Sequence, residues 1–380
     1  METINIRICD SVICNPSIKL EKGKECPVID IDKITVGRKF VENKDTVIYN
    51  GQSGAKFENG DTLMARITPC LENGKMAQAK IVGKGIGSTE LFVFRGKDGF
   101  TDNDYVYYLF KQQYIRDLAA NSMSGASGRQ RADLKFIKNI KINLPTLPIQ
   151  RRIASILSAY DNLIENNNRR IRLLEQMAEN LYKEWFVRFR FPGHEKVEME
   201  NGLPKGWKKA SLGEICQFKR GKNITSDEMC EGNIPVISAG IEASGFHNRS
   251  NVKGVSVTMS SSGANAGFLS IHYSDIWAAD CSYIEESSTT NIYYVYELLN
   301  NIRTIITNFQ RGAAQPHVYP KDINRIKLIV PDKNLMRKAN EKLLSMHKAI
   351  DTLQQQNQLL TRQRDLLLPR LMSGKIAVNA

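Results

Sequence analysis

The sequence has no apolar run near 18 residues, so no transmembrane helix is expected. Its opening, METINIRICDSVIC, lacks a basic segment leading into an apolar one, so no secretory signal is expected either. The seven cysteines (9, 14, 26, 70, 216, 230 and 281) are odd in number and include no CxxC pair, which suits reduced thiols in a cytoplasm better than disulfides or a zinc site. Histidine is scarce, with five residues, and HExxH is absent; His194-Glu195 has no partner histidine. None of the six Gly-Lys pairs (at 23, 74, 83, 96, 221 and 374) has the earlier glycine or the following hydroxyl of a phosphate-binding loop. GKGIGS (83–88) reads as a turn before a strand, and Asp332-Lys333 as a helix-opening turn rather than a nuclease core, because no paired acid follows. Asn15-Pro16-Ser17-Ile18 lacks the second proline and the aromatic with which adenine methyltransferases hold a flipped base. No catalytic residue, metal site or cofactor is therefore predicted in this chain.

What is present is ordinary in bulk and unusual in pattern. The 380 residues are 42% hydrophobic and 24% charged, enough for two or three globular cores. The net charge of +13 favours a polyanionic partner, nucleic acid ahead of a membrane surface.

Ile153, Leu157, Tyr160, Ile164, Asn167, Ile171, Leu174, Ala178, Leu181 and Trp185 recur in alternating steps of four and three, the signature of a coiled-coil seam. The same ladder returns 186 residues later at Leu343, Met346, Ile350, Leu353, Asn357, Leu360, Arg364, Leu367 and Leu371. An ordinary core helix drifts towards 3.6 and would not keep this spacing. Asn167 and Asn357 are polar seam positions that can fix register, and Arg364 marks either a gap in the pairing or a contact for a partner.

The repeat reaches beyond the helices. Pro145 and Pro331 are also 186 apart, each just ahead of its helix; SGASGRQR (124–131) matches RGAAQPH (311–317), ELFVF (90–94) matches CSYIE (281–285), and YVYYLF (105–110) matches YYVYELL (293–299). The chain is read as a tandem duplication of a globular domain followed by a long helix. The fold class expected is α+β: two pseudo-repeated globular domains separated by two long helices that pair as an antiparallel coiled coil. The expected bounds are 1–148 for the first domain, 149–188 for the central helix, 189–206 for a linker rich in Gly and Pro, 207–332 for the second domain, 333–374 for the distal helix and 375–380 for a tail. Asn59-Gly60 and Asn73-Gly74 predict hairpin turns around a strand, GIGSTELFVFRG (85–96) one glycine-bordered strand, and Asp104–Ala120 a single helix. Helices of about 33 residues span about 50 Å. Two unlike heads on such a rod make a caliper for an asymmetric, two-part site on DNA, one to one-and-a-half turns across; a two-headed adaptor without DNA specificity is the competing class.

FENGDTLMARITPCLENGK with GSTELFVFR, LPTLPIQRRIASILSAYDNLIENNNRRIRLLEQMAENLYKEWF, LPKGWKKASLGEI, IPVISAGI and LLPRLMSGKI together resemble the specificity subunit of a type I restriction–modification system. The likeness extends over essentially the whole chain, with departures: the start lacks the Pro-x-x-Trp opening found at Pro204–Trp207, so a shortened edge strand or arm is expected, and KNLMRKANEK stands where the first helix has LPIQRRIASI. The resemblance implies two target recognition domains, each reading half of a bipartite site in double-stranded DNA. It implies helices that set the spacer and dock two modification subunits, with restriction subunits joining that complex. S-adenosylmethionine, ATP and Mg would belong to those partners, none to this chain, and the complex would work in the cytoplasm. A recognition module of another phage-defence methylation system is the nearest variant of this reading.

Phosphates are met by Lys, Arg and small hydroxyls, and base edges by Arg, Asn, Gln and Ser. On those grounds the DNA-contact candidates are Arg66, Thr68, Lys75, Ser124, Ser127, Arg129 and Gln130 in the first domain. In the second they are Lys219, Arg220, Lys222, Ser261, Ser262, Asn265, Arg311 and Gln315. Ser127 and Gln315, in the repeated small-residue runs, are the foremost candidates for base readout.

Overall fold

The computed structural model describes residues 2–42, 45–126, 128–312 and 316–378. They form two compact units: 1–168 together with 355–380, and 169–354.

In unit 1, Thr3–Arg7 pairs antiparallel with Lys141–Pro145 along its whole length. The edge strand expected to be shortened is thus five residues long, one more than its counterpart Lys208–Ser211. A five-stranded sheet follows the order Val12–Cys14, Leu91–Gly96, Thr62–Ala65, Met76–Ala79, Phe40–Val41, antiparallel except for its last pair. Thr62–Ala65 and Met76–Ala79 are buried at every position, so both faces of this sheet are covered. A four-stranded sheet orders Thr46–Ile48, Glu25–Ile29, Lys84–Gly87 and Ala55–Glu58 around a parallel central pair. GIGSTELFVFRG is accordingly two strands in two sheets. Asn59-Gly60 does turn the chain, with Gly60 at φ 87°, but the strands flanking it also belong to different sheets. Asn73-Gly74 does join an antiparallel pair. Helices α1 (Asn103–Lys111) and α2 (Gln113–Asn121) replace the single helix expected, because Gln112 is extended between them. Helix α3 runs over Leu147–Tyr182 and continues into unit 2.

Unit 2 repeats the frame. Lys208–Ser211 pairs with Lys327–Val330. A four-stranded sheet orders Lys219–Arg220, Cys281–Glu285, Ser256–Ser260, Leu269–His272, and a three-stranded one Gly245–His247, Ile234–Ile237, Trp277–Ala278, again with one parallel pair. Helices α4 (Ile292–Asn301) and α5 (Arg303–Thr307) precede α6 (Lys333–Met372), whose first turn is capped by Asp332: its Oδ1 accepts from the backbone N–H groups of Asn334 and Leu335 at 2.9 and 3.0 Å. Residues 189–206, expected to be a linker, fold onto this core instead. Phe191 is buried against Trp207, ring centroids 5.7 Å apart, and Met199–Glu200 pairs with Leu203–Pro204.

The long helices pair antiparallel within each unit. In unit 1, Asp161 meets Arg364, and the Asn167 amide donates to Asn357 Oδ1 at 3.0 Å while the Asn357 amide donates to Asn168 Oδ1 at 3.0 Å, so Asn357 is held by two neighbouring residues of α3. In unit 2, Ile171 packs with Ile350 and Leu353. Four ladder positions are corrected. Tyr160, Leu181, Met346 and Leu367 are only half-buried, and their neighbours Asp161, Tyr182, His347 and Leu368 point inward. All four are the same heptad position. At Asp161, Tyr182 and His347 the inward group also meets a tyrosine of its own globular part, and Leu368 joins the first unit's main core. The buried stripe widens towards that core, as a globular helix requires, while the middle of the seam keeps the narrow coiled-coil spacing.

Arg364 is neither a gap nor a surface. It is 1% exposed and ion-paired with Asp161, which is 3% exposed; its Nη1 also donates to the Gly37 carbonyl at 3.2 Å. Tyr108 donates to the other Asp161 oxygen at 2.5 Å, and Lys39 donates to Ser158 and Asp104, both at 2.7 Å. All seven cysteines are free, and no helix among the described residues is long and apolar enough to cross a membrane. Removing one partner of a buried ion pair costs about 3–5 kcal/mol because the other is left charged and unpaired. Asp161→Ala is expected to raise hydrogen exchange across 355–372. The unfolding transition seen by tryptophan fluorescence should stay in place, since all three tryptophans lie in unit 2. The double change Asp161→Leu with Arg364→Met should restore most of the protection.

Candidate nucleic-acid interface

Each small-residue run is closed at its base by the same backbone device. In unit 1, Ser124 and Arg131 exchange N–H···O bonds of 3.1 and 3.0 Å. Arg131 is also bridged to Ile67, Thr68 N–H donates to the Gln130 carbonyl at 3.0 Å, and Ala132 N–H donates to that of Arg66 at 2.8 Å. In unit 2, Arg311 and His317 exchange bonds of 2.9 and 2.8 Å, Ser262 bridges His317, and Val318 N–H donates to the Ser261 carbonyl at 3.0 Å. In both, the loop is stitched to the segment that follows a fully buried strand. Gly125, Gly128 and Gly312 take positive φ of 122°, 77° and 95°, which lets the chain turn tightly there. Backbone bonds hold each loop by its base.

The unit 1 candidates Arg66, Thr68, Ser124, Arg129 and Gln130 come together around this loop. Ser124 and Arg129 are exposed. The Arg66 guanidinium lies 5.1 Å from the Phe92 ring centroid, with its buried Nε unpartnered, at the edge of a cavity of about 340 Å³ shared with Asn15 and Lys56. Asn15 itself is structural: its Oδ1 accepts from Val93 N–H at 2.9 Å. Lys75 does not join this group, because its Nζ donates to the Ile31 carbonyl at 3.1 Å. Arg131, absent from the expected set though it lies in the repeated run, forks onto Glu90 at 2.9 and 2.6 Å and holds that carboxyl below its usual range.

In unit 2, Ser261 and Ser262 are corrected. Both are buried, Ser261 against the Ser282 hydroxyl at 3.2 Å and Ser262 donating to Asp280 Oδ2 at 2.5 Å, so neither hydroxyl faces solvent. Arg220 pairs with the same Asp280, Lys219 with Glu285 at 2.6 Å and Arg311 with Asp322 at 2.9 Å. Lys222 is exposed, and its carbonyl accepts from Trp277 Nε1 at 2.9 Å; Asn265 is half-buried. Beside the loop, His317 stacks on half-exposed Tyr319 with centroids 6.2 Å apart, an aromatic pair that the ladder and charge patterns gave no reason to select. Ser127 and Gln315 lie outside the described residues.

Two α+β units share one frame, and each closes a loop on the same backbone bridges. A family model described as "Type I restriction modification DNA specificity domain" matches residues 11–176 and again 204–362, and the chain belongs to that family. It is a DNA-recognition subunit of the type I restriction–modification class and not a catalytic one. It is 29% identical over 312 residues to the type I restriction enzyme MjaIX specificity subunit of Methanocaldococcus jannaschii, spanning 74% of this chain and 71% of that one. It is 32% identical over 131 residues to the EcoAI specificity subunit of Escherichia coli, 33% of this chain and 22% of the relative. Its fold matches the crystal structure of a type I restriction-modification S subunit from M. genitalium with a TM-score of 0.60 at 20% identity, over 97% of this chain and 96% of that one.

His272, half-buried at the end of strand Leu269–His272, is pushed down to about 4 by desolvation, with its Nε2 2.8 Å from Thr258 Oγ1. The folded state therefore prefers neutral His272, and unit 2 should keep its full stability above about pH 6.5 and lose up to ~3 kcal/mol as pH falls to about 4. Tryptophan-monitored urea midpoints across that window should fall in the native chain and stay flatter in His272→Gln.

Proposed function

We propose that residues 1–148 and 207–332 act as two target recognition domains, each reading one half of a bipartite, asymmetric site in double-stranded DNA. The observation that carries this reading is the loop built twice on the same bridges, Ile67–Arg131–Ser124 and Ser262–His317–Arg311. Its frame is repeated while its side chains differ, which is what two readers of unlike half-sites need. Arg129 and Lys222, exposed and without an ion pair among the described residues, are assigned to phosphates. Gln130 and Ser124 are assigned to base edges.

The helical segments 149–188 and 333–374 set the spacer between half-sites and dock two modification subunits. Leu163, Leu359 and Leu366 in unit 1, and Leu173 and Met177 in unit 2, are 50–60% exposed on the helices, which supports a covered surface there. Restriction subunits join through that complex. S-adenosylmethionine, ATP and Mg act on those partners in the cytoplasm, and this chain supplies the address.

Single-molecule methylome sequencing of a host expressing the chain with its methyltransferase should show methyladenine at one split motif, lost on deletion of this gene. Exchanging residues 1–148 for another recognition domain should change one half of the motif only. A methyltransferase that is folded and present but leaves no motif would overturn the reading in favour of a two-headed adaptor. In the assembled complex, Arg129→Ala or Lys222→Ala should weaken binding to all sequences alike and lower the salt-dependence slope by about 1, whereas Gln130→Ala should relax one base position by about 1–3 kcal/mol.

A further inference from the structure

Unit 1 contains a cavity of about 540 Å³ that the DNA reading leaves unused. Its walls come from Val36 and Gly37, the turn at Gly74, the junction of α1 and α2, and the last turns of α6. Three cations line it, Lys111, Arg116 and Arg364, against one carboxylate, Asp365. Two of the cations are incompletely satisfied. Arg364 uses Nη1 on Asp161 and Gly37 and Nε on Asp365 at 2.9 Å, which leaves Nη2 buried with no partner. Arg116 gives Nη2 to Gln113 but has a buried, unpartnered Nε. Its guanidinium lies where a Cβ on Gly74 would stand, and Gly74 has φ 72°, so the backbone has yielded room for this cation. Lys111 is half-buried, its Nζ 5.9 Å from the Tyr107 ring centroid.

A buried guanidinium with a donor left unsatisfied is costly, and the repeat shows that the frame does not demand one. Ala178 occupies the seam position 186 residues before Arg364 and is likewise buried, while His347, 186 after Asp161, faces Glu297 at 3.3 Å. The second unit solves the same packing without an arginine.

We infer that this cavity is a binding pocket for a small phosphate-type dianion, held by Lys111, Arg116 and the floor provided by Arg364. Arg364 is neutralised by Asp161, while Lys111 and Arg116 carry no ion pair among the described residues and supply two positive charges; Tyr107, Tyr114 and Leu368 offer an apolar wall for whatever bears the group. Lys111 is pushed down to about 8, first by burial and then by the neighbouring Arg364; Arg116 on α2, Asp365 on α6 and Asp161 on α3 are the other charged groups facing it. A bound dianion favours protonated Lys111, so binding near pH 8 takes up a proton and weakens at higher pH.

The test is calorimetric titration of the full chain with inorganic phosphate at low salt. One saturable site is expected, with proton uptake at pH 8 seen in buffers of different ionisation enthalpy. Lys111→Met and Arg116→Met should each weaken it about tenfold or more, the loss expected for one charged hydrogen bond. Lys111→Met should also abolish the proton uptake, and both variants should keep the parent's circular dichroism spectrum and ligand-free unfolding midpoint. Absence of saturation at millimolar inorganic phosphate overturns the inference. So does an equal loss in Lys348→Met, an exposed lysine of unit 2, since that would mark diffuse attraction to a basic surface.

Discussion

A guanidinium shut away from water ties the first unit together. Arg364 comes from the last long helix and Asp161 from the first, and around them stand Tyr108, Gly37, Ser158 and Lys39 from the globular part and the helix packed on it. Neither charge survives burial alone, so the two helices and the globular part must come to one register at once. Residues 355–380 belong to the same compact unit as residues 1–168 for this reason among others, and the two ends of the chain share one fold. The asparagines further along the seam act in the same sense more weakly, since only one alignment sets Asn357 to accept from Asn167 and donate to Asn168.

Around that fixed frame the recognition loops are held differently. Their bases are backbone bridges, and the polar groups that close them are main-chain N–H and C=O. Backbone bonding by itself does not specify side chains, which leaves the exposed loop residues Ser124 and Arg129 less constrained than the buried frame. The helices and buried strands have no such freedom.

Much of the architecture was legible in residue spacing. The duplication, the two helices and their antiparallel pairing follow from the 186-residue period and the heptad ladder, which are local properties of the chain. Sheet membership was less accessible. Asn59-Gly60 announces a turn correctly, but no local signal says that Ala55–Glu58 and Thr62–Ala65 will pair with different strands. Side-chain availability was harder still. Ser261 and Ser262 sit in a small polar run that resembles a surface loop, and they are buried because Ser282 and Asp280 arrive from another strand to meet them.

The sequence by itself determined the period, the duplicated domains, the heptad stripe and the excess of positive charge, because each is carried by residues close together in the chain or by composition. Only the tertiary structure decided which face of each helix turned inward at Asp161, Tyr182, His347 and Leu368, and whether Arg364 would be a gap, a surface or a core residue. Those outcomes depend on partners many residues away, Tyr108 and Gly37 above all, and on the desolvation they impose. A pattern within one helix carries no information about either.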